Sequence, residues 1–391
     1  MIKVGLILPI RRTWRGGVNY FHNLLGCYKA YPDAEVKLEV LTDCPEDVAE
    51  YRCNSIEIHA CPEARMLSLR SPINWPRRLA IKALAYDPVL FRIAERLQLD
   101  ILTHNSLGRQ ETINTLFWQP DLQHKVFPEF FRASECASRD VAIANVRLWG
   151  NILFSSQATA DDFRHYYPEL ASVQTHILHF PGAGVLRIAP CGREELDAQY
   201  PTGEPYFFLP NQFWKHKNHE VVVEALRRTP SEIRVICTGA MQDPRDPAYV
   251  PALLDKVKKA GLEHRFACLG TVPYGMLVSL MHHSIAVLQP SLFEGWSTSV
   301  EESKAMCKQI ILSNIDVHLE QAPERGVYFS PDAPEELAEC MKQAFETREP
   351  AIEQRFVERR MSNKIMLERT WIEDYGRILR TVVMSPCHAE N

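Results

Sequence analysis

The chain has 391 residues, of which 46% are hydrophobic and 24% charged; that is too long for one ordinary core, fits two domains, and excludes a disordered or low-complexity chain. A net charge of -5 excludes a general nucleic-acid binder, which is usually basic. The 11 cysteines include no C-x-x-C pair and no zinc spacing, so they read as reduced thiols of a cytoplasmic protein.

No apolar run approaches the ~20 residues needed to span a bilayer. Residues 2–9 (IKVGLILP) are predicted to form a first β-strand rather than a signal peptide, because the run is short and meets Arg11 and Arg12. A polar loop with Gly16 and Gly17 is expected next, then a helix to about Tyr31. Residues 35–41, 99–103, 114–118 and 151–156 read as further strands, and their alternation with helical patterns implies a parallel sheet. The Pro- and Gly-rich stretch around 181–205 breaks the pattern and reads as an interdomain linker. Strand candidates then resume at 206–210, 233–238, 265–269, 284–289, 309–313 and 326–329. Helical patterns are clearest at 217–228, 249–260 and 333–346, and a helix runs over 350–383. No G-x-G-x-x-G follows a strand and no Walker A sequence is present, which weakens dehydrogenase and P-loop readings. Two α/β domains favour a ligand at the carboxyl ends of the strands, in a cleft between them.

The segment most informative about chemistry is 290–306, PSLFEGWSTSVEESKAM. Glu294 is predicted in the loop after a buried strand, with Ser297, Thr298 and Ser299 opening a helix that contains Glu302. The first turn of a helix offers free N–H groups and partial positive charge, a seat for a diphosphate. Glu294 can accept hydrogen bonds from sugar hydroxyls, and Glu302 from a ribose diol. Thr298-x-x-Glu301 and Ser299-x-x-Glu302 also match capping boxes, which need no ligand. A second segment, YFFLPNQFWKHKNH over 206–219, ends a strand in a loop carrying Asn211, Lys215, His216, Lys217 and His219. Its cations either neutralise phosphates or form an ordinary solvated loop.

FEGWSTSVEESKAM resembles the E-x7-E motif of the retaining glycosyltransferases of family 4, of the kind used in bacterial surface polysaccharide assembly. Glu294 matches the first Glu, Gly295 the glycine after it, and Glu302 the second Glu. NQFWKHKN is similar to the family's donor-phosphate loop, with Lys217 at its Lys and Asn211 where an Arg is usual. LGTVPYGMLVSLM, 269–281, resembles the strand-turn-helix around the nucleobase, which sets the backbone of Thr271 and Val272 against the base. Gly16 and Gly17 resemble the glycine-rich loop of the N-terminal domain. After the strand at 114–118, Asp121 matches the Asp of a His-Asp pair, Pro120 replaces the His, and His124 is the candidate to take over its role. Ser297 stands where Gly is common and Ser299 where Pro is common.

The resemblance implies a GT-B fold, two Rossmann-like doubly wound α/β domains facing across a cleft. Residues 1–183 are expected to bind the acceptor through Gly16, Gly17, Asp121 and His124. A linker is expected over 184–205, and the nucleotide-sugar over 206–365 through Asn211, Lys215, Lys217, Thr271, Val272, Glu294, Gly295, Ser297, Thr298, Ser299 and Glu302. Residues 366–391 are expected as a helix returning to the first domain. Glu294, Lys217 and His124 are the implied catalytic residues. The implied reaction moves a sugar, with retention and without a metal or other cofactor, to a saccharide or lipid-linked saccharide. A nucleotide-sugar epimerase and a non-catalytic binding module on the same fold are the alternatives. The basic-aromatic stretch 65–82, with Arg77 and Arg78, suits either peripheral contact with an anionic membrane or a solvated face.

Overall fold

The structure is a computed structural model that describes residues 1–8, 15–61, 75–84, 86–105, 108, 112–200, 205–348 and 350–385; of Arg15, Arg78 and residues 350–364 it describes the backbone alone. Elements follow in chain order as β1 (Ile2–Leu8), α1 (Arg15–Ala30), β2 (Val36–Thr42), β3 (Ile56–Ala60), α2 (Trp75–Leu84), α3 (Pro88–Leu97), β4 (Ile101–Thr103), β5 (Asn114–Gln119), α4 (Gln123–Val126), α5 (Ala133–Ala144), β6 (Asn151–Phe154), α6 (Gln157–Tyr166) and β7 (Gln174–Ile177). They continue with α7 (Arg193–Gln199), β8 (Phe207–Leu209), α8 (His219–Leu226), β9 (Val235–Cys237), α9 (Tyr249–Lys259), β10 (Phe266–Cys268), α10 (Tyr274–His283), β11 (Val287–Gln289), α11 (Thr298–Ala305), β12 (Ile310–Ser313), α12 (Asp316–Gln321), β13 (Gly326–Phe329), α13 (Pro334–Glu346) and α14 (Pro350–Met384).

Two compact units result. The first holds Met1–Leu122, Ser134–Phe180 and Glu368–Asn391; the second holds Gln123–Ala133 and Pro181–Leu367. In the first, seven parallel strands run in the order β3-β2-β1-β4-β5-β6-β7. In the second, six parallel strands run β10-β9-β8-β11-β12-β13. Parallel strands must be covered on both faces, and the second sheet shows this directly. Phe207, Leu209, Val235 and Leu288 pack into one buried cluster, while Phe208, Ile236, Val287 and Ile310 pack into another.

Three expectations change. The edge strands β3 and β7 were not predicted, because Glu57, His59, Gln174 and His176 interrupt the apolar pattern that marks a buried strand. Gly16 and Gly17 are not in a loop; they lie in the first turn of α1, and residues 9–14 are outside the described residues. The expected linker is structured over its described residues 184–200. It carries a 3-10 turn over Ala183–Arg187 and the helix α7. Val185 and Leu196, 1% and 0% exposed, join the same cluster as Tyr206 and Phe208.

The basic stretch 65–82 also reads differently in part. Residues 65–74 lie outside the described residues. On α2, Trp75 and Leu79 are exposed, yet Arg77 is buried and forms a two-pronged ion pair with Asp87, its Nε 3.0 Å from each carboxylate oxygen. Asp87 is the N-cap of α3 and also accepts from the N–H groups of Val89 (3.1 Å) and Leu90 (3.3 Å). Arg77 therefore locks α2 to the start of α3 and is not available to a lipid surface. Removing one partner of a buried pair strands the other charge. Arg77→Met is expected to cost about 3–5 kcal/mol of stability, read as a lower midpoint in urea unfolding; an unchanged midpoint would contradict the pairing.

Candidate active site

In the second sheet the strand order reverses between β8 and β11, which are hydrogen-bonded neighbours with Phe208 opposite Val287. Loops leaving the carboxyl ends of two such strands diverge to opposite faces and leave a crevice at that point. The loop after β8 carries Asn211 to Lys217, and the loop after β11 carries Ser291 to Ser297.

Local chemistry shapes both loops. Gly239 has φ +140°, and a Cβ there would stand 2.3 Å from the carbonyl oxygen of Asn211, so only glycine lets this backbone close on the first loop. That loop makes a 3-10 turn over Lys215–Lys217 and ends at Asn218, φ 54°, a left-handed position that Asn tolerates. The second loop is tied to the first by the N–H of Leu292 donating to the carbonyl of His216 at 2.8 Å.

These turns bring Lys217 onto Glu294, with Nζ to Oε1 at 2.5 Å. The same oxygen accepts from Gln289 Nε2 at 2.8 Å and Ser291 Oγ at 2.7 Å. Burial alone would raise the pKa of Glu294, but the opposing effect of its neighbours, led by the Lys217 ammonium, holds the carboxyl below its ordinary range. His216 and His318 are themselves driven to about 3 and about 4, chiefly by burial. Both are therefore neutral at pH 7. The Nδ1 of His318 donates to the carbonyl of Ser313 at 2.9 Å.

Glu302 lies within α11, 6% exposed, and accepts from the hydroxyl of Tyr274 at 2.6 Å. Neither capping box forms. Ser297 is the N-cap residue but makes no side-chain cap bond. Its hydroxyl accepts from Gln289 instead, at 2.8 Å, while Glu301 accepts from Lys304 and Gln321, each at 2.9 Å. Gly182 packs against the middle of α11, where a Cβ would fall 2.2 Å from the backbone N of Glu302. The pKa of Glu302 is raised to about 7 by burial, against the lowering effect of the Tyr274 hydrogen bond.

The remaining predicted residues are dispersed. Gly295, Thr298 and Ser299 follow Glu294 on the same loop and helix, with Ser299 and Ser297 both buried. Thr271 is exposed and Val272 buried in the turn before α10. Asn211 is buried and donates to Gln289 at 2.8 Å. Lys215 lies beside an aromatic ring. Its Nζ lies over the ring of Phe130, 5.6 Å from the centroid, beside a cleft of about 210 Å³ lined also by Glu129, Asp243 and Arg245. Asp121, in the first unit, pairs with Arg139 at 3.2 Å. His124 is 1% exposed in α4 and groups with the second unit, not with the N-terminal domain to which the sequence assigned it. Sequence reasoning missed Gln289, Ser291, Tyr274 and His318. The available signal was a Gln that closes an otherwise apolar strand, SIAVLQ over 284–289.

Residues 193–360 match the family described as Glycosyl transferases group 1. No curated protein matches the chain by sequence. By structure it resembles a glycosyltransferase from Rickettsia africae ESF-5 (14% identity, 98% of this chain and 99% of that one, TM-score 0.70). It is similar too to HepE of Anabaena in complex with UDP (15%, 97% and 100%, 0.66) and to sucrose-phosphate synthase of Thermosynechococcus elongatus (14%, 98% and 99%, 0.67). The fold is that of the GT-B glycosyltransferases.

The raised pKa of Glu302 has a consequence for stability. A carboxyl that holds its proton more tightly when folded contributes stability that is complete below its ordinary value of 4.5 and is lost as pH rises through about 7. Above that pH the folded chain carries the cost of a buried charge. Glu302→Gln is therefore expected to raise the melting temperature of the ligand-free protein at pH 8.5, with a margin that shrinks as the pH falls toward 4.5. A margin independent of pH would show that Glu302 does not titrate in this way.

Proposed function

We propose that the protein transfers a sugar from a nucleoside-diphosphate sugar to a saccharide or lipid-linked saccharide acceptor, with retention and without a metal. The observation that carries this reading is the carboxylate of Glu294 at a strand end in the segment that matches Glycosyl transferases group 1, charged and pressed against Lys217. In this reading Lys217 and the first turn of α11 receive the diphosphate, Glu302 takes the ribose diol, and Thr271 and Val272 flank the base. Glu294 orients the sugar and stabilises positive charge at its anomeric carbon. The bond from that carbon to the diphosphate breaks, the acceptor oxygen bonds to the same face, and the leaving phosphate oxygen takes the acceptor's proton. The chain's contribution is positioning and charge stabilisation.

The acceptor residues implied by resemblance, Gly16, Gly17, Asp121 and His124, belong to the same proposal, as do a cytoplasmic location and a role in surface polysaccharide assembly. Among the described residues no helix is long and apolar enough to cross a membrane. Relatives of this fold hold UDP or UDP-glucose, which makes UDP-hexoses the first donors to try.

Glu294→Gln removes a charge that acts in the transition state, so it should lower kcat by about 10²–10³-fold while leaving nucleotide affinity near normal. Steady-state kinetics over a donor series reads the split; a full kcat would refute the assigned role. Because Lys217 and helix N–H groups neutralise the leaving group, activity should persist in EDTA. Complete loss that magnesium or manganese restores would make the reaction metal-dependent.

A further inference from the structure

Asn211, Ser297 and Ser299, the three positions where the donor segments depart from the pattern they resemble, meet at one side chain. Building on the donor-site reading above, we propose that Gln289 is a positioning residue: its amide, oriented by Asn211, fixes Glu294 so that one carboxylate oxygen is held and the other is presented to the donor sugar.

Gln289 is the last residue of β11 and is 0% exposed. A buried primary amide has two N–H groups and a carbonyl with two lone pairs to satisfy. Its Oε1 accepts from Asn211 Nδ2 at 2.8 Å and from Ser299 Oγ at 3.3 Å. Its Nε2 donates to Glu294 Oε1 and to Ser297 Oγ, both at 2.8 Å. With a longer contact from Nε2 to Ser291 Oγ at 3.4 Å, every capacity of the amide is used, and three of its five partners are the departures. An Arg at 211 would place a cation here; a Gly at 297 and a Pro at 299 would supply no hydroxyl. The three side chains therefore meet on one neutral hub.

The hub has a direction. Asn211 donates, so the carbonyl of Gln289 faces it and the amino group faces Glu294. Reversing the amide would set a carbonyl oxygen against a carboxylate. The result is an asymmetric carboxylate: Lys217, Gln289 and Ser291 all converge on Oε1, while Oε2 has no hydrogen bond among the described residues. That second oxygen is the one left to receive a sugar hydroxyl.

The test uses the full-length chain with UDP-, GDP-, ADP- and dTDP-hexoses and the corresponding free diphosphates. Melting shifts report binding, and hydrolysis of the donor reports kcat. Gln289→Met keeps the length and removes every hydrogen bond; it should lower kcat about 10–100-fold with free-diphosphate affinity kept within about twofold. Asn211→Asp replaces a donor by an acceptor of the same shape and should turn the amide over, with a similar loss of kcat. Because both act through Gln289, the double variant should be no slower than Gln289→Met. Asn211→Asp carries the test alone if Gln289→Met does not fold. Unchanged kcat in either variant, multiplicative losses in the double variant, or an equal loss of free-diphosphate affinity would overturn the proposal alone. If no nucleotide stabilises the wild type, the donor-site reading falls and the proposal falls with it.

Discussion

A carboxylate buried at the end of a strand keeps its charge only if donors replace the water it has lost. Glu294 is in that position, and Lys217, Gln289 and Ser291 meet on one of its oxygens. Each donor needs its own support. Lys217 is brought in by a 3-10 turn that ends at the left-handed Asn218. Gln289 is saturated by Asn211 and two serines. The loop holding Ser291 is pinned to the carbonyl of His216. The site is thus a consequence of how two loops are held, more than of any single residue.

Topology makes that holding possible. Only where the strand order reverses, between β8 and β11, do two loops on neighbouring strands leave a crevice rather than cover one another. The first sheet has the same reversal between β1 and β4. His104 follows β4 with φ 64°, its Nε2 2.7 Å from the Tyr20 hydroxyl and its Nδ1 2.9 Å from Thr103 Oγ1. Burial drives its pKa down to about 3, so it is neutral at pH 7. Tyr20 stacks on Trp118 with ring centroids 4.4 Å apart, so this strand end is an aromatic layer and not a charged one.

Much of this was legible in the sequence, for physical reasons. Central parallel strands are apolar on both faces, so runs such as FFL and IILS announced themselves, and the α/β class followed. Edge strands with polar residues, IEIHA and QTHI, did not. Lys217 and Glu294 were legible as charges at strand ends, and their pairing follows from the fold. Glu302 was ambiguous because a capping box and a ligand site share the same letters; its bond to Tyr274, 28 residues away, could not be read from local spacing. Arg77 misled for the opposite reason, since a basic residue near Trp75 looks superficial until Asp87 is placed against it. Gln289 was passed over because a single amide carries no motif, although its position at the close of an apolar strand was a physical anomaly.

If Lys217, Glu294 and Glu302 bound one donor site at these strand ends, as proposed, a nucleoside-diphosphate sugar binds there. Thermal stabilisation by a panel of nucleoside-diphosphate sugars tests it most directly, because a ligand that binds only the folded state raises the melting temperature. At least one donor is predicted to stabilise the wild type, with the shift reduced in both Lys217→Ala and Glu302→Gln. A panel with no stabilising member, or a donor whose shift survives both substitutions, would contradict a shared donor site.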